Sequence, residues 1–205
     1  MYTLYDFLPS GNCYKVRLLL NQLRVPYQRI NIDILQQQSR TAEFLKINPN
    51  GKTPVLKHDD HILAESNAIL WYLAKQSRFL PDDDFAQAQV LQWMFFEQFS
   101  HEPYLAKSRY WISILNAEDE YRDQLADLRQ PGYSALDVME NHLSENEFFV
   151  ADQYSIADIC LYAYTHVAEQ GKFDLSTYPN IHAWFIRIKS QPDYIRIDDE
   201  VTTTN

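Results

Sequence analysis

Cysteine is scarce in this chain: two in 205 residues, Cys13 and Cys160, far apart. That spacing excludes a disulfide framework and a cysteine metal site, and it fits a reducing compartment. Glycine is also rare, with only Gly11, Gly51, Gly132 and Gly171. Basic residues are outnumbered, 18 against 28 acids, for a net charge of -10. Phosphate binding wants the opposite balance, so nucleic acid is not an expected partner. The simplest use of such a charge is solubility. Long apolar runs are missing: nothing approaches the roughly 18 uninterrupted apolar residues of a membrane-spanning helix. Residues 1–6 lack the basic start and apolar stretch of a signal peptide. The expectation is a soluble cytoplasmic protein with no membrane partner.

What is present is a chain 46% apolar, long enough for one large domain or two small ones. Tyr2 to Asp6 is short and strand-like. After Pro9-Ser10-Gly11, Val16, Leu19, Leu20 and Leu23 recur at helical spacing until Val25-Pro26. Tyr27 to Asp33 alternates as a second strand, so the opening reads as a βαβ unit. A short helix is predicted over Thr41 to Ile47. A hairpin follows, Val55 to His58 and His61 to Ala64, then a helix over Ser66 to Lys75. Ser77 to Asp84, with Pro81 and an acidic run, breaks the pattern as a linker. Beyond it helix formers dominate. One long helix is predicted over Phe85 to about Leu115, and a second over about Tyr121 to Leu143. Others cover Ile156 to Glu169 and Ile181 to Lys189, before a tail after Tyr194 that is expected to fray. Ser155 and Asp158 have capping-box spacing ahead of an apolar run, with Asp in place of the usual Glu or Gln.

Three short motifs carry chemistry. Pro54 opens a strand, a position open to an ordinary trans proline or to a cis one. Glu65-Ser66 precedes a helix, where Ser66 could simply be the N-cap beside an acid favoured by the helix dipole. The same pair can bind an amino-acid zwitterion: the helix N-terminus and the serine take its carboxylate, and the glutamate takes its ammonium. Ser10 begins the first helix, either as a plain cap or as a hydroxyl aimed at a ligand.

The order and spacing of Ser10, Asn48-Pro49-Asn50-Gly51-Lys52-Thr53-Pro54-Val55 and Glu65-Ser66 resemble the cytosolic glutathione S-transferases, of the bacterial serine type. The likeness is strongest over residues 1–75 and is carried mostly by pattern over 86–190. It implies an α/β plus all-α architecture: a thioredoxin-like glutathione-binding domain (1–76), a linker (77–85) and an all-helical domain holding an electrophile pocket (86–205). In that family Thr53-Pro54 is cis. The backbone of Val55 then pairs with the extended tripeptide as a strand edge would. Glu65 and Ser66 hold its γ-glutamyl end, and Lys52 is placed to meet its glycyl carboxylate.

The resemblance makes Ser10 the catalytic residue, donating to the glutathione sulfur so that the thiolate attacks an electrophile. Lowering a thiol pKa of about 8.5 by about two units takes about 2.7 kcal/mol. A hydrogen bond to a charged group supplies about 1.5–3 kcal/mol and a helix N-terminus about 0.3–1 more. Asn12 and Cys13 are alternative partners for the sulfur. Ser10-Gly11-Asn12-Cys13 has the spacing of a redox Cys-x-x-Cys whose first cysteine is replaced. Tyr104, Ser108 and Trp111 share a predicted helix face and are candidates for the electrophile pocket, or else for core. His101 and Glu102 lack further ligands at metal spacing, so no metal is expected. No cofactor is implied, since glutathione enters as co-substrate, and a homodimer is expected. Two rivals stand beside the transferase: a glutathione-dependent thiol or peroxide reductase using Cys13, and a binding protein that keeps the fold without catalysis.

Overall fold

Four strands, β1 (Tyr2–Asp6), β2 (Tyr27–Asn31), β3 (Val55–His58) and β4 (His61–Ala64), form one sheet in the order β2-β1-β3-β4. A computed structural model supplies this description and covers residues 1–200. β1 runs parallel to β2, with Leu4 opposite Arg29, and antiparallel to β3, with Leu4 opposite Leu56. β3 and β4 form the expected hairpin, turning at Asp59, which takes φ +53° where glycine is the usual choice. Helix α1 (Gly11–Gln22) is the crossover between the parallel strands. Helix α2 (Ala42–Ile47) leads into β3, and helix α3 (Ser66–Ala74) follows β4 and packs against α1.

The chain divides into two compact units, Met1–Ser77 together with the segment from Pro192 on, and Arg78–Gln191. The first unit buries Leu4, Val16, Leu19, Leu20, Leu56, Ile69 and Leu70 as its core. Asp6, fully buried on β1, is paired with Arg17 of α1 and Arg29 of β2, so no buried charge is left uncompensated there. The C-terminal segment departs from expectation. Instead of fraying, residues 193–197 lie along α1. The carbonyls of Asp193, Ile195 and Ile197 accept from Asn21, Tyr14 and Arg17 at 2.7, 2.7 and 2.8 Å. Polar composition predicted exposure, but here the backbone carbonyls make the contacts, and composition says nothing of those.

The second unit contains α4 (Asp84–Phe96), α5 (Glu102–Arg109), α6 (Arg122–Leu143), α7 (Ile156–Thr165) and α8 (Pro179–Lys189). The single helix predicted from Phe85 to Leu115 is instead α4 and α5 with π turns at Glu97–His101 and Tyr110–Ile114. Pro103 has no N–H to donate to the preceding turn, and the widened turn just before it absorbs the mismatch. All ten residues of α7 are buried. Its start is the predicted capping box: the Asp158 carboxylate accepts from the Ser155 amide at 2.9 Å and also from Trp184 Nε1 at 3.0 Å. Trp184, Tyr162 and Phe149 meet edge to face around it. No helix among the described residues is long and apolar enough to cross a membrane.

Candidate active site

The β1–α1 loop brings Ser10 to the first turn of α1. Ser10 is the N-cap, with its Oγ accepting from the Cys13 amide at 3.3 Å. Capping uses an oxygen lone pair and leaves the O–H proton to donate. The loop before it is tied down twice: the Ser10 amide donates to the Phe7 carbonyl at 2.9 Å, and the Phe7 amide donates to Cys13 Sγ at 3.3 Å. Cys13 itself is fully buried. Burial, with the Asp6 charge adding to it, pushes its thiol up to about 12, against the smaller opposing effects of hydrogen bonds from Thr53 and Phe7.

The Thr53 side chain thus touches the first turn of α1, and the Thr53–Pro54 bond is cis. Val55 follows as the first residue of β3, paired with Tyr5 on one side and Ala64 on the other. The preceding loop is shaped by Asn48, whose Nδ2 donates to the Lys52 carbonyl at 2.8 Å and whose Oδ1 accepts from the Asn50 amide at 3.1 Å. Gly51 has φ +63°, and a methyl there would lie 2.5 Å from Arg40 Nη1. Lys52 is exposed.

At the other side of the site the helix cap differs from expectation. Glu65, at φ +69°, is the N-cap of α3, and Ser66 is its first helical residue. The Ser66 hydroxyl does not cap. It donates to Asn12 Oδ1 at 3.1 Å and accepts from Lys15 Nζ at 3.4 Å. Lys15 also donates to Asn67 Oδ1 at 3.3 Å and is fully buried. Glu65 is exposed and held at a backbone conformation that L side chains rarely adopt, a strain that collects at binding sites.

One turn of α1 therefore meets both other motifs, Thr53 through Cys13 and Ser66 through Asn12. Two helix N-termini meet there, and the positive end of each helix dipole suits an anion. Lys15 and Asn67 had no role in the sequence reading, and Asn48 entered it only as the start of the motif leading to Pro54. Lys15 did leave a signal, a lysine among the apolar residues of the first helix.

The second unit does not gather Tyr104, Ser108 and Trp111 on one pocket. Tyr104 lines a mostly apolar cleft of about 420 Å3 with Phe96, Ser100, Pro131, Ser134, Ala135 and Val138. Ser108 is buried beside Gly171. Trp111 stacks flat on Tyr121 at 4.5 Å. The π turn beginning at Tyr110 advances fewer degrees per residue than an α turn and takes Trp111 off the predicted face. Among the described residues, no three His, Cys, Asp or Glu side chains come together to hold a metal.

A thioredoxin-like unit with a cis proline just before its third strand, together with an all-helical unit, defines a class of two-domain proteins. Residues 1–75 match the family described as Glutathione S-transferase, N-terminal domain, and residues 93–192 match Glutathione S-transferase, C-terminal domain. The chain belongs to the glutathione S-transferase family. A glutathione S-transferase of Pseudomonas fluorescens Pf-5 superposes with a TM-score of 0.94 at 50% identity, covering 97% of this chain and 99% of that one. The disulfide-bond oxidoreductase YfcG of Escherichia coli K12 is 30% identical over 91% of this chain and 89% of its own. Another family member from Pseudomonas fluorescens Pf-5, solved with two glutathione bound, superposes at 0.83 with 25% identity, over 94% of this chain and 89% of that one.

Proposed function

We propose that this protein is a cytoplasmic, homodimeric glutathione transferase in which the first unit binds glutathione and Ser10 stabilises its thiolate for attack on a hydrophobic electrophile. The observation that carries the reading is the Ser66 hydroxyl. It is released from capping and sits where the N-termini of α1 and α3 converge. That arrangement suits the γ-glutamyl carboxylate, with Glu65 exposed beside it for the ammonium. Val55 offers its backbone to the cysteinyl part, and Lys52 reaches the glycyl carboxylate from the exposed loop.

Ser10 is the better of the three candidates for the sulfur. Its O–H proton is available while its oxygen caps α1. Asn12 already has its side-chain oxygen engaged by Ser66. Cys13 is buried and protonated at neutral pH. Of the three predicted pocket residues, Tyr104 lines an open, mostly apolar cleft, and it is the candidate retained for the electrophile.

Similarity to YfcG favours one second reading, disulfide reduction by the same thiolate. The glutathione sulfur would attack a disulfide, form a mixed disulfide and release one thiolate. A second glutathione would then attack the glutathione sulfur of the mixed disulfide, releasing the other thiolate and leaving glutathione disulfide. Cys13 has no part in that scheme, because its burial and raised pKa oppose nucleophilic attack.

Calorimetry with glutathione on wild type and Ser66→Ala, beside turnover of a chloronitroaromatic and of a glutathione mixed disulfide, tests both readings. Binding weakened at least about tenfold by Ser66→Ala, with aromatic conjugation, supports the transferase. Turnover of the disulfide alone supports the second reading. No glutathione binding by wild type sinks both.

A further inference from the structure

Ser10 is held by a chain of contacts that ends at the C-terminal segment, and Arg17 is the link between them. Arg17 is fully buried. Its Nη1 pairs with Asp6 at the end of β1. Its Nη2 donates to two carbonyls, Leu8 at 2.8 Å and Ile197 at 2.8 Å. Leu8 lies in the loop two residues before Ser10. Ile197 belongs to the strap of residues 193–197 laid along α1. The strap is read by one face of the helix: Tyr14, Arg17 and Asn21 stand at i, i+3 and i+7, and each donates to one of the alternate carbonyls of residues 195, 197 and 193. Arg24 adds an ion pair to the Asp193 side chain.

We propose that this strap sets the position of Ser10 through Arg17, making Arg17 a positioning residue for thiolate formation. The inference rests on the reading of Ser10 given above. A guanidinium nitrogen carries two protons. With Ile197 taking one and Leu8 the other, the plane of the group is fixed, and so is the Leu8 carbonyl. Without the strap the first proton turns to water, the buried charge becomes wet, and the Leu8 carbonyl loses its fixed donor. Other ties, among them the Ser10 amide to the Phe7 carbonyl, the Phe7 amide to Cys13 Sγ and the Cys13 amide to Ser10 Oγ, keep the loop folded, but none of them fixes the Leu8 carbonyl, so Ser10 can still shift with that part of the loop. A small shift of a hydroxyl aimed at a sulfur is enough to weaken a charge-assisted hydrogen bond. Ser66 and α3 make no contact with the strap in this chain of bonds, so affinity for the γ-glutamyl end stays.

The test compares the full chain with a chain ending at Tyr194 and with full-length Tyr14→Phe/Asn21→Ala, which leaves Arg17, Asp6 and Ser10 in place. Amide hydrogen exchange is read at residues 8–13 and 66–74 without ligand. The thiol pKa of bound glutathione is read by ultraviolet absorbance, and its affinity by calorimetry. Expected for the shortened chain are faster exchange confined to residues 8–13, a bound-thiol pKa raised by about one unit and turnover down about tenfold at saturating glutathione. Its glutathione affinity stays within about twofold. The double variant shifts in the same direction by less. Unchanged exchange at 8–13, or faster exchange with the thiol pKa unmoved, overturns the proposal. Should the shortened chain fail to fold, the double variant decides by the same readings. A wild type that binds no glutathione sinks the transferase reading, and with it the role given to Ser10. The exchange measurement then decides separately whether the strap holds the loop.

Discussion

The Ser66 hydroxyl donates to Asn12 Oδ1 across 3.1 Å and so ties the first turn of α3 to the first turn of α1. Each partner belongs to a different motif, and neither is a cap. A double-mutant cycle follows from the contact. Asn12→Ala and Ser66→Ala should each weaken glutathione binding, and the double variant should lose less than the sum, with a coupling of about 0.5–3 kcal/mol. Strict additivity in calorimetry would show that the pair does not act as one unit.

Cys13 gives a second test. Its thiol is fully buried, accepts from the Phe7 amide and is pushed up to about 12 by burial. In the native protein it should resist iodoacetamide at pH 8, and it should react at the ordinary rate of a free thiol once denaturant is added. Cys13→Ala leaves a buried amide without an acceptor, so stability should fall by about 1–3 kcal/mol. The thiol pKa of bound glutathione should stay put. A large rise in that pKa would give Cys13 a direct part in activating the sulfur.

These two residues also mark what could be read from the sequence. The strands, the βαβ opening, the hairpin and the capping box at Ser155 were legible because each is a local pattern, a period of 2 or 3.6 or a fixed offset. Thr53-Pro54 was legible as a motif for the same reason. The Asn12–Ser66 tie was not, since it joins two helices distant in the chain, and Ser66 read alone looks like an ordinary cap. Lys15 was hidden for a similar reason: its partners Ser66 and Asn67 are set by how α3 packs on α1. The strap was missed because backbone carbonyls leave no trace in composition. Trp111 left the shared face because the π turn from Tyr110 interrupts the 3.6 period, whereas Ser108, one turn on from Tyr104 in α5, is buried beside Gly171 by packing that no local pattern shows.

Gly51 tests the loop that delivers Thr53 and Pro54. At φ +63°, with Arg40 Nη1 and the Ser39 carbonyl within 2.9 Å of any added methyl, alanine is opposed both by backbone conformation and by contact. Gly51→Ala should cost about 1 kcal/mol or more in denaturant unfolding. Adding Arg40→Ala should return only the part due to the guanidinium, because Ser39 contributes backbone. Full recovery in the double variant would mean that the positive φ carries no cost.

Asp158 predicts the direction of a pH effect on stability. It is fully buried, and that burial raises its pKa to about 6 despite opposing hydrogen bonds from Trp184, Ser155 and Phe149. The unfolded chain releases the same proton at the ordinary carboxylate value of 3.8. Between these values the native state holds a proton that the unfolded state has lost. Stability from this group is therefore greatest below about pH 4 and declines as pH rises through about 6, by roughly 3 kcal/mol in total. Asp158→Asn removes the titration while keeping an oxygen for Trp184. The informative quantity is the difference in unfolding free energy between wild type and variant, followed from pH 4.5 to 7.5. Wild type should lose ground relative to the variant as the pH rises. A difference flat in pH would mean that the hydrogen bonds to the carboxylate just offset its burial. A difference of the opposite slope would mean that the native protein holds Asp158 ionised below its ordinary range. The capping box would then hold a carboxylate stabilised by its hydrogen bonds and the N-terminus of α7 rather than a buried acid.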